Sequence, residues 1–227
     1  MKKACLLLLL LLVVAALGAS AQDDNEYRME IGVGAGLDGY LGDFNGTPTR
    51  DLQPAATLLG KRIISPWAAV RLSVGWTKMK GSSADVPTYY PDYAEQPWTF
   101  GNNLYDLNMA FEYNFLPYGT GRDYRGAKRL VPFIYGGLGL LYVKAPDKGH
   151  AGFQMLFGLG VKYKVAERVN LGVEWGIHFT QSDWLDGVKD PYYIKSSGLF
   201  KNTDCYSALQ ISLTYCFWAK CTTCNKE

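Results

Sequence analysis

From Phe153 to Phe179 the chain alternates apolar with small or polar side chains almost without a break. Phe153, Met155, Phe157, Leu159, Val161, Tyr163 and Val165 share one parity, against Gln154, Leu156, Gly158, Gly160, Lys162 and Lys164. After the turn residues Ala166-Glu167-Arg168, Val169, Leu171, Val173, Trp175, Ile177 and Phe179 alternate with Asn170, Gly172, Glu174, Gly176, His178 and Thr180. A period of two places successive side chains on opposite faces of a strand, so this segment is a hairpin. Its arms exceed the ~5–6 residues usual in soluble sheets. Roughly ten residues tilted by ~45° are what a hydrocarbon layer requires.

Other segments repeat the pattern. Tyr105, Leu107, Met109, Phe111, Tyr113 and Phe115 oppose Asp106, Asn108, Ala110, Glu112 and Asn114. Met29 to Asp38, Ala55 to Ile64, Ala68 to Thr77, Phe133 to Tyr142 and Ala208 to Phe217 complete eight predicted strands, Phe133 to Tyr142 with ambiguous facing. The fold expected is all-β, an eight-stranded antiparallel transmembrane barrel of the outer-membrane type, with both termini in the periplasm. A soluble β-sandwich is the competing fold. Connection lengths favour the barrel, since Ser65-Pro66-Trp67 and Ala166-Glu167-Arg168 are short while Tyr40 to Pro54, Lys78 to Asn103 and Gln181 to Cys205 are long. Pro117 to Leu130 is too long for a periplasmic turn, which marks it as a place to look for function, and Lys144 to His150 is short for an outer loop. Trp67, Trp76, Tyr113, Tyr118, Tyr163, Trp175 and Trp218 are expected in aromatic girdles at the headgroup level.

Residues 1–21 read as a secretory signal peptide: Lys2 and Lys3 are a basic start, Leu6 to Val14 an apolar run, and Ala19-Ser20-Ala21 a cleavage site. Residues 22–218 are assigned to the barrel and 219–227 to a periplasmic cysteine-containing tail. The formal charge of +2 lies in the signal peptide, because the remaining 206 residues carry 21 basic and 21 acidic side chains. Such a balance disfavours a nucleic-acid partner.

An eight-stranded barrel is filled by its own side chains and is no general pore. Glu30, Arg71, Asp106, Glu112, Lys162, Glu174 and His178 are expected inside it as a structural network of buried ionisable groups, which must pair to offset their desolvation. Catalytic groups are scarce. His178, with Thr180, Ser182 and Asp183, is the candidate for a lipid-modifying hydrolase, but it points inward, away from lipid. Gly34-Ala35-Gly36-Leu37-Asp38-Gly39 fits a dinucleotide fingerprint without the helix that must follow it, and Asp43, Asn45 and Gly46 lack the acid that completes a calcium loop. No cofactor, metal or catalytic residue is assigned.

Cys205 begins the last strand and Cys216 ends it, too far apart for a disulfide. With Cys221 and Cys224 in the tail, one thiol is left unpaired on each side of the membrane. Cys221-Thr222-Thr223-Cys224 reads as a local disulfide, a redox pair or a metal half-site. The tail is expected to engage a partner through a remaining thiol or its backbone.

Several motifs resemble one family. Gly39-Tyr40-Leu41-Gly42-Asp43-Phe44-Asn45, Glu112-Tyr113-Asn114-Phe115-Leu116-Pro117-Tyr118-Gly119, Pro132-Phe133-Ile134-Tyr135-Gly136-Gly137-Leu138-Gly139, Gly158 to Lys164, Asn170 to Gly176, Asp183-Trp184-Leu185-Asp186 and Ser212 to Tyr215 look, in this order, like the PorG family. These are small outer-membrane barrels of the type IX secretion system of Bacteroidetes. The resemblance implies a non-enzymatic component that anchors the periplasmic ring of the lipoprotein PorK and its partner PorN to the outer membrane, and supports protein export. Where such relatives often place an aromatic after the aspartate preceding the last strand, this chain has Cys205 after Asp204. The expected contact surface is the set of periplasmic turns with the tail. Within it Arg122, Arg125, Lys128 and Arg129, against the single acid Asp123, suit an acidic partner or phospholipid headgroups. A free-standing adhesion or stress barrel, using the Tyr- and Pro-rich Val86 to Trp98, and a lipid-modifying enzyme are the alternatives.

Overall fold

In the computed structural model the described residues are 27–41, 49–82, 99–119, 127–145, 149–181, 185 and 204–219. They form eight strands: β1 (Tyr27–Leu41), β2 (Gln53–Ser65), β3 (Ala68–Ser82), β4 (Thr99–Asn114), β5 (Leu130–Lys144), β6 (Gly149–Lys164), β7 (Val169–Thr180) and β8 (Cys205–Ala219). Each pairs antiparallel with its sequence neighbours, and β1 pairs with β8 to close the barrel. Closure leaves no sheet edge with unpaired backbone groups, the condition for crossing a bilayer with strands. No described helix is long and apolar enough to cross a membrane.

All eight expected strands are present. Most are longer than the alternation alone indicated, because hairpin pairing continues past the last apolar side chain; β3 and β4 stay in register out to Ser82↔Thr99. The ambiguous fifth strand is resolved by its neighbours. Phe133 and Tyr135 point inward with Gly137 and Gly139 following, while Ile134, Leu138 and Leu140 are exposed. Gly137 is required there, since a Cβ would press on the Met109 carbonyl oxygen and on Ala110 across the β4–β5 ladder.

The outer face is the inverse of a soluble protein's surface. Ile31, Val33, Leu58, Leu72, Val74, Met109, Phe157, Leu159, Ile211 and Leu213 are all about half exposed or more. A continuous apolar exterior on a closed barrel is stable only against lipid. The strand acids Glu30, Asp38, Asp106, Glu112 and Glu174 all lie on the inward parity. This is a transmembrane β-barrel of the outer membrane.

Two expectations are corrected in detail. Tyr118 is no girdle residue; it is half-buried in the barrel mouth, its hydroxyl 2.8 Å from Asn170 Oδ1. Trp175 lies in the middle of β7 rather than near its end, with Nε1 donating to Ser207 Oγ at 2.8 Å. Trp218 faces out near the end of β8 as expected, 65% exposed, although strict alternation after Phe217 would turn it inward. Its left-handed φ of 63° breaks the period and lets both neighbours face outward. Gly34 to Gly39 runs within β1, which removes the dinucleotide reading.

Candidate partner-binding face at the turn end of the barrel

The interior is built in three layers. At the end bearing the long connections, Tyr40, Met79, Phe100, Leu104, Leu141, Val143 and Tyr206 pack around Leu185, which the β7–β8 connection inserts into the mouth. Asp204 holds that insertion. Its carboxylate accepts from the Tyr40 hydroxyl at 2.6 Å and from the Leu185 backbone N–H at 3.1 Å, while Asn102 donates to the Leu185 carbonyl at 2.9 Å. Leu185 belongs to one of the family-like motifs; Asp183, Trp184, Asp186 and Ser182 lie outside the described residues.

The middle layer is ionic. Glu112, fully buried, accepts from Lys61 Nζ at 2.8 Å and Lys162 Nζ at 2.5 Å. Arg71 pairs with Glu174 through two parallel 2.7 Å bonds and lies 4.4 Å over the Tyr135 ring. Glu30 accepts from Thr214 at 3.2 Å and from the Cys216 thiol at 3.7 Å. Glu30, Arg71, Glu112, Lys162 and Glu174 are thus all inside, though in separate groups; Lys61, Lys164 and Asp38 complete the set. Their signal was parity. Lys61 shares its face with Ala55, Thr57 and Leu59, and Asp38 shares one with Glu30.

Asp106 accepts from the Tyr206 hydroxyl and from Asn108, each at 2.9 Å. His178 stacks on Tyr206 at 4.3 Å between centroids. Asp38 Oδ1, Arg71 Nε and His178 Nδ1 have no partner among the described residues, and all three residues line a cavity of about 20 Å³. That volume suits about one water molecule. His178 is buried toward the interior, away from the lipid face.

The third layer closes the end that carries the short turns. Residues 115–119 and 127–129 form a stem across the mouth: Tyr118 pairs with Lys128, Lys128 N–H donates to the Pro117 carbonyl at 2.8 Å, and Tyr118 N–H donates to the Pro66 carbonyl at 3.0 Å. The Tyr118 ring receives Lys162 Nζ at 4.4 Å and Lys164 Nζ at 5.3 Å. Burial, with Glu30 nearby, pushes the Tyr118 phenol well above its ordinary pKa. Beside it, Arg168 of the β6–β7 turn donates to the Tyr215 and Tyr27 hydroxyls at 3.3 and 3.2 Å. The two described ends of the long connection singled out in the sequence, residues 115–119 and 127–129, are therefore tied to the β2–β3 turn, to β6 and to β7.

Lys128 and Arg129 lie on this stem with exposed side chains, and the Arg129 carbonyl accepts from the Lys164 backbone at 2.9 Å. Arg122 and Arg125, and Cys221 and Cys224 of the tail, lie outside the described residues. Cys205 and Cys216 sit at opposite ends of β8, ~36 Å apart at ~3.3 Å per residue, so they do not pair. Cys216 is buried, 3.1 Å from Asn170 Nδ2. Among the described residues no group of His, Cys, Asp and Glu could hold a metal ion.

The fold is shared with small outer-membrane barrels. Neisserial surface protein A superposes with a TM-score of 0.51 at 13% identity, over 83% of this chain and 97% of that one. Ail, the attachment invasion locus protein of Yersinia pestis, solved with the heparin analogue sucrose octasulfate, gives 0.50 at 8% identity, over 85% and 100%. No curated protein sequence matches the chain. A family model described as a domain of unknown function, DUF6089, matches residues 3–226, and the chain belongs to that family.

Proposed function

We propose that this barrel is a non-enzymatic outer-membrane component of a type IX secretion machinery, and that its turn-end face docks the periplasmic ring of PorK-like and PorN-like proteins. The observation that carries the reading is the Tyr118–Lys128 cap, a connection longer than a periplasmic turn needs, tied across the mouth with Lys128 and Arg129 exposed. A barrel filled in three layers can anchor or bind but cannot pass a protein through itself. The motif resemblance to PorG supplies the identity of the partner. Basic side chains on a braced platform suit an acidic protein surface, where complementary charge steers docking and sets its register.

The test is pull-down of the native protein in mild detergent, with mass spectrometry of what accompanies it. For the wild type, ring proteins are expected in the eluate. For Lys128→Glu/Arg129→Glu, still folded by its heat-modifiable gel mobility, they should be lost. Unchanged recovery of the ring would refute the cap as the docking site. A wild type that purifies without periplasmic partners would favour the free-standing adhesion barrel.

A further inference from the structure

The outward parity of the strands carries no acid, and its cations are unevenly placed. Arg62 of β2 lies toward the turn end, beside exposed Arg28 of β1, whereas Lys78 and Lys80 of β3 and Lys144 of β5 are grouped at the other end. Lys78, Asn103 and Lys144 lie in one row across β3, β4 and β5, and Lys80 is paired with Gly101. At ~4.8 Å between strands and ~3.4 Å per residue, the three lysine Cα atoms form a triangle with sides of roughly 7–12 Å. At that end the described residues of β1, β2, β6, β7 and β8 expose no strand lysine or arginine, so among the described strands this charge falls in one sector of the wall.

Two residues closer to mid-strand, on the same face, Trp76, Tyr105 and Tyr142 form a second row in the same register. All three rings are exposed, which is how amphipathic aromatics mark the headgroup level of a bilayer. The lysine stems can lie along this apolar ledge with the ammonium groups in the headgroup region. Gly101 leaves space between the two cationic strands, since a Cβ there would meet only the Lys80 stem, at 3.9 Å. None of the three ammonium groups has an ion-pair or hydrogen-bond partner among the described residues. A basic group with an aromatic floor, open to lipid and confined to one sector, is complementary to a lipid whose headgroup carries more than one negative charge.

We infer that the outer wall of β3–β5 binds one diphosphorylated lipid of the surrounding leaflet. Lys78 and Lys80 hold one phosphate, Lys144 the other, and Trp76, Tyr105 and Tyr142 lie against the sugar and upper acyl region. This site rests on the transmembrane barrel and not on the secretion reading, so lipid retention and ring recovery can fail independently.

The experiment is native mass spectrometry of the detergent-solubilised full chain, titrated with diphosphoryl lipid A, with phosphatidylglycerol, and with a phosphate-free glycolipid of matching acyl content. Diphosphoryl lipid A should be retained one per barrel, more tightly than phosphatidylglycerol, and the phosphate-free glycolipid should be lost. K78Q/K80Q/K144Q should weaken lipid A retention by on the order of 100-fold, at ~1 kcal/mol per lysine near an anionic headgroup, while K78R/K80R/K144R should keep it. Heat-modifiable mobility would verify that both triple variants fold. Retention by the Gln variant within about threefold of wild type, or equal retention of the phosphate-free glycolipid or of phosphatidylglycerol, would overturn the inference.

Discussion

Glu112→Gln is the most informative single change, because one fully buried carboxylate is shared by two buried ammonium groups. With N–O distances of 2.8 and 2.5 Å, the charge centres are ~3.5 Å apart. At an effective dielectric constant of ~20 each attraction is roughly 5 kcal/mol before desolvation is subtracted. Desolvation of the three ions cancels much of this in the wild type. The substitution removes the compensating charge while leaving Lys61 and Lys162 buried, 5.6 and 5.4 Å from the Phe133 ring. Breaking a buried pair in this way costs about 3–5 kcal/mol, a hundredfold to several-thousandfold in the folding equilibrium. The assay is equilibrium urea unfolding in lipid vesicles, followed by tryptophan fluorescence and by the gel-mobility difference between folded and unfolded barrel. Replacing the whole group, Lys61→Met/Glu112→Leu/Lys162→Met, should bring stability back to near wild type or above it, since it also removes the desolvation cost. A loss below about 1 kcal/mol for Glu112→Gln, or a triple variant no better than the single, would refute the ionic layer as a mutually compensated unit.

Two further outcomes follow from single sites. Tyr118 has its phenol pKa raised in the folded state above the ordinary value of 10.0, so its contribution to stability is complete below pH 10 and declines as pH rises above it, where the unfolded chain ionises first; unfolding midpoints measured from pH 8 to 12 should show a fall that is smaller in Tyr118→Phe. Gly137→Val should reduce the yield of refolded, heat-modifiable barrel and cost about 1–3 kcal/mol or more, because its side chain would push on the Met109 carbonyl, whereas Gly60→Ala, with nothing within 4 Å of the added Cβ, should refold like the wild type.

Alternation carried most of the architecture. Eight runs of period two, at lengths a soluble sheet rarely uses, defined the strands and which parity faces lipid, because a strand gives its side chains only two directions and a bilayer accepts only one kind on the outside. The same parity places Glu30, Arg71, Glu112, Lys162 and Glu174 inside. Where glycine occupies inward positions, as at Gly137 and Gly139, parity loses its signal, and only the neighbouring strands decide that Phe133 and Tyr135 point inward. Partners were beyond reach of the sequence for a related reason. Arg71 and Glu174 are 103 positions apart, and Lys61 reaches Glu112 across two strand boundaries. Which inward groups meet depends on barrel stagger and closure, neither of which is written in any one strand.

The cap shows the division most clearly. Composition marked Pro117 to Leu130 as too long and too basic for a plain turn, a local property of the chain. That Tyr118 folds back over Lys162 and Lys164 to close the mouth, rather than standing in the girdle with the other aromatics, needed the β2–β3 turn and β7 to be brought alongside it. The sequence by itself thus determined the strands, the facing of all but the fifth, and the closed, filled interior, since these follow from periodicity and from the chemistry of lipid against water. Tertiary structure alone decided the ion-pair partners, the insertion of Leu185, the plug at Tyr118 and the lysine row beside Trp76, Tyr105 and Tyr142, since each joins residues that only the register of a closed barrel places side by side.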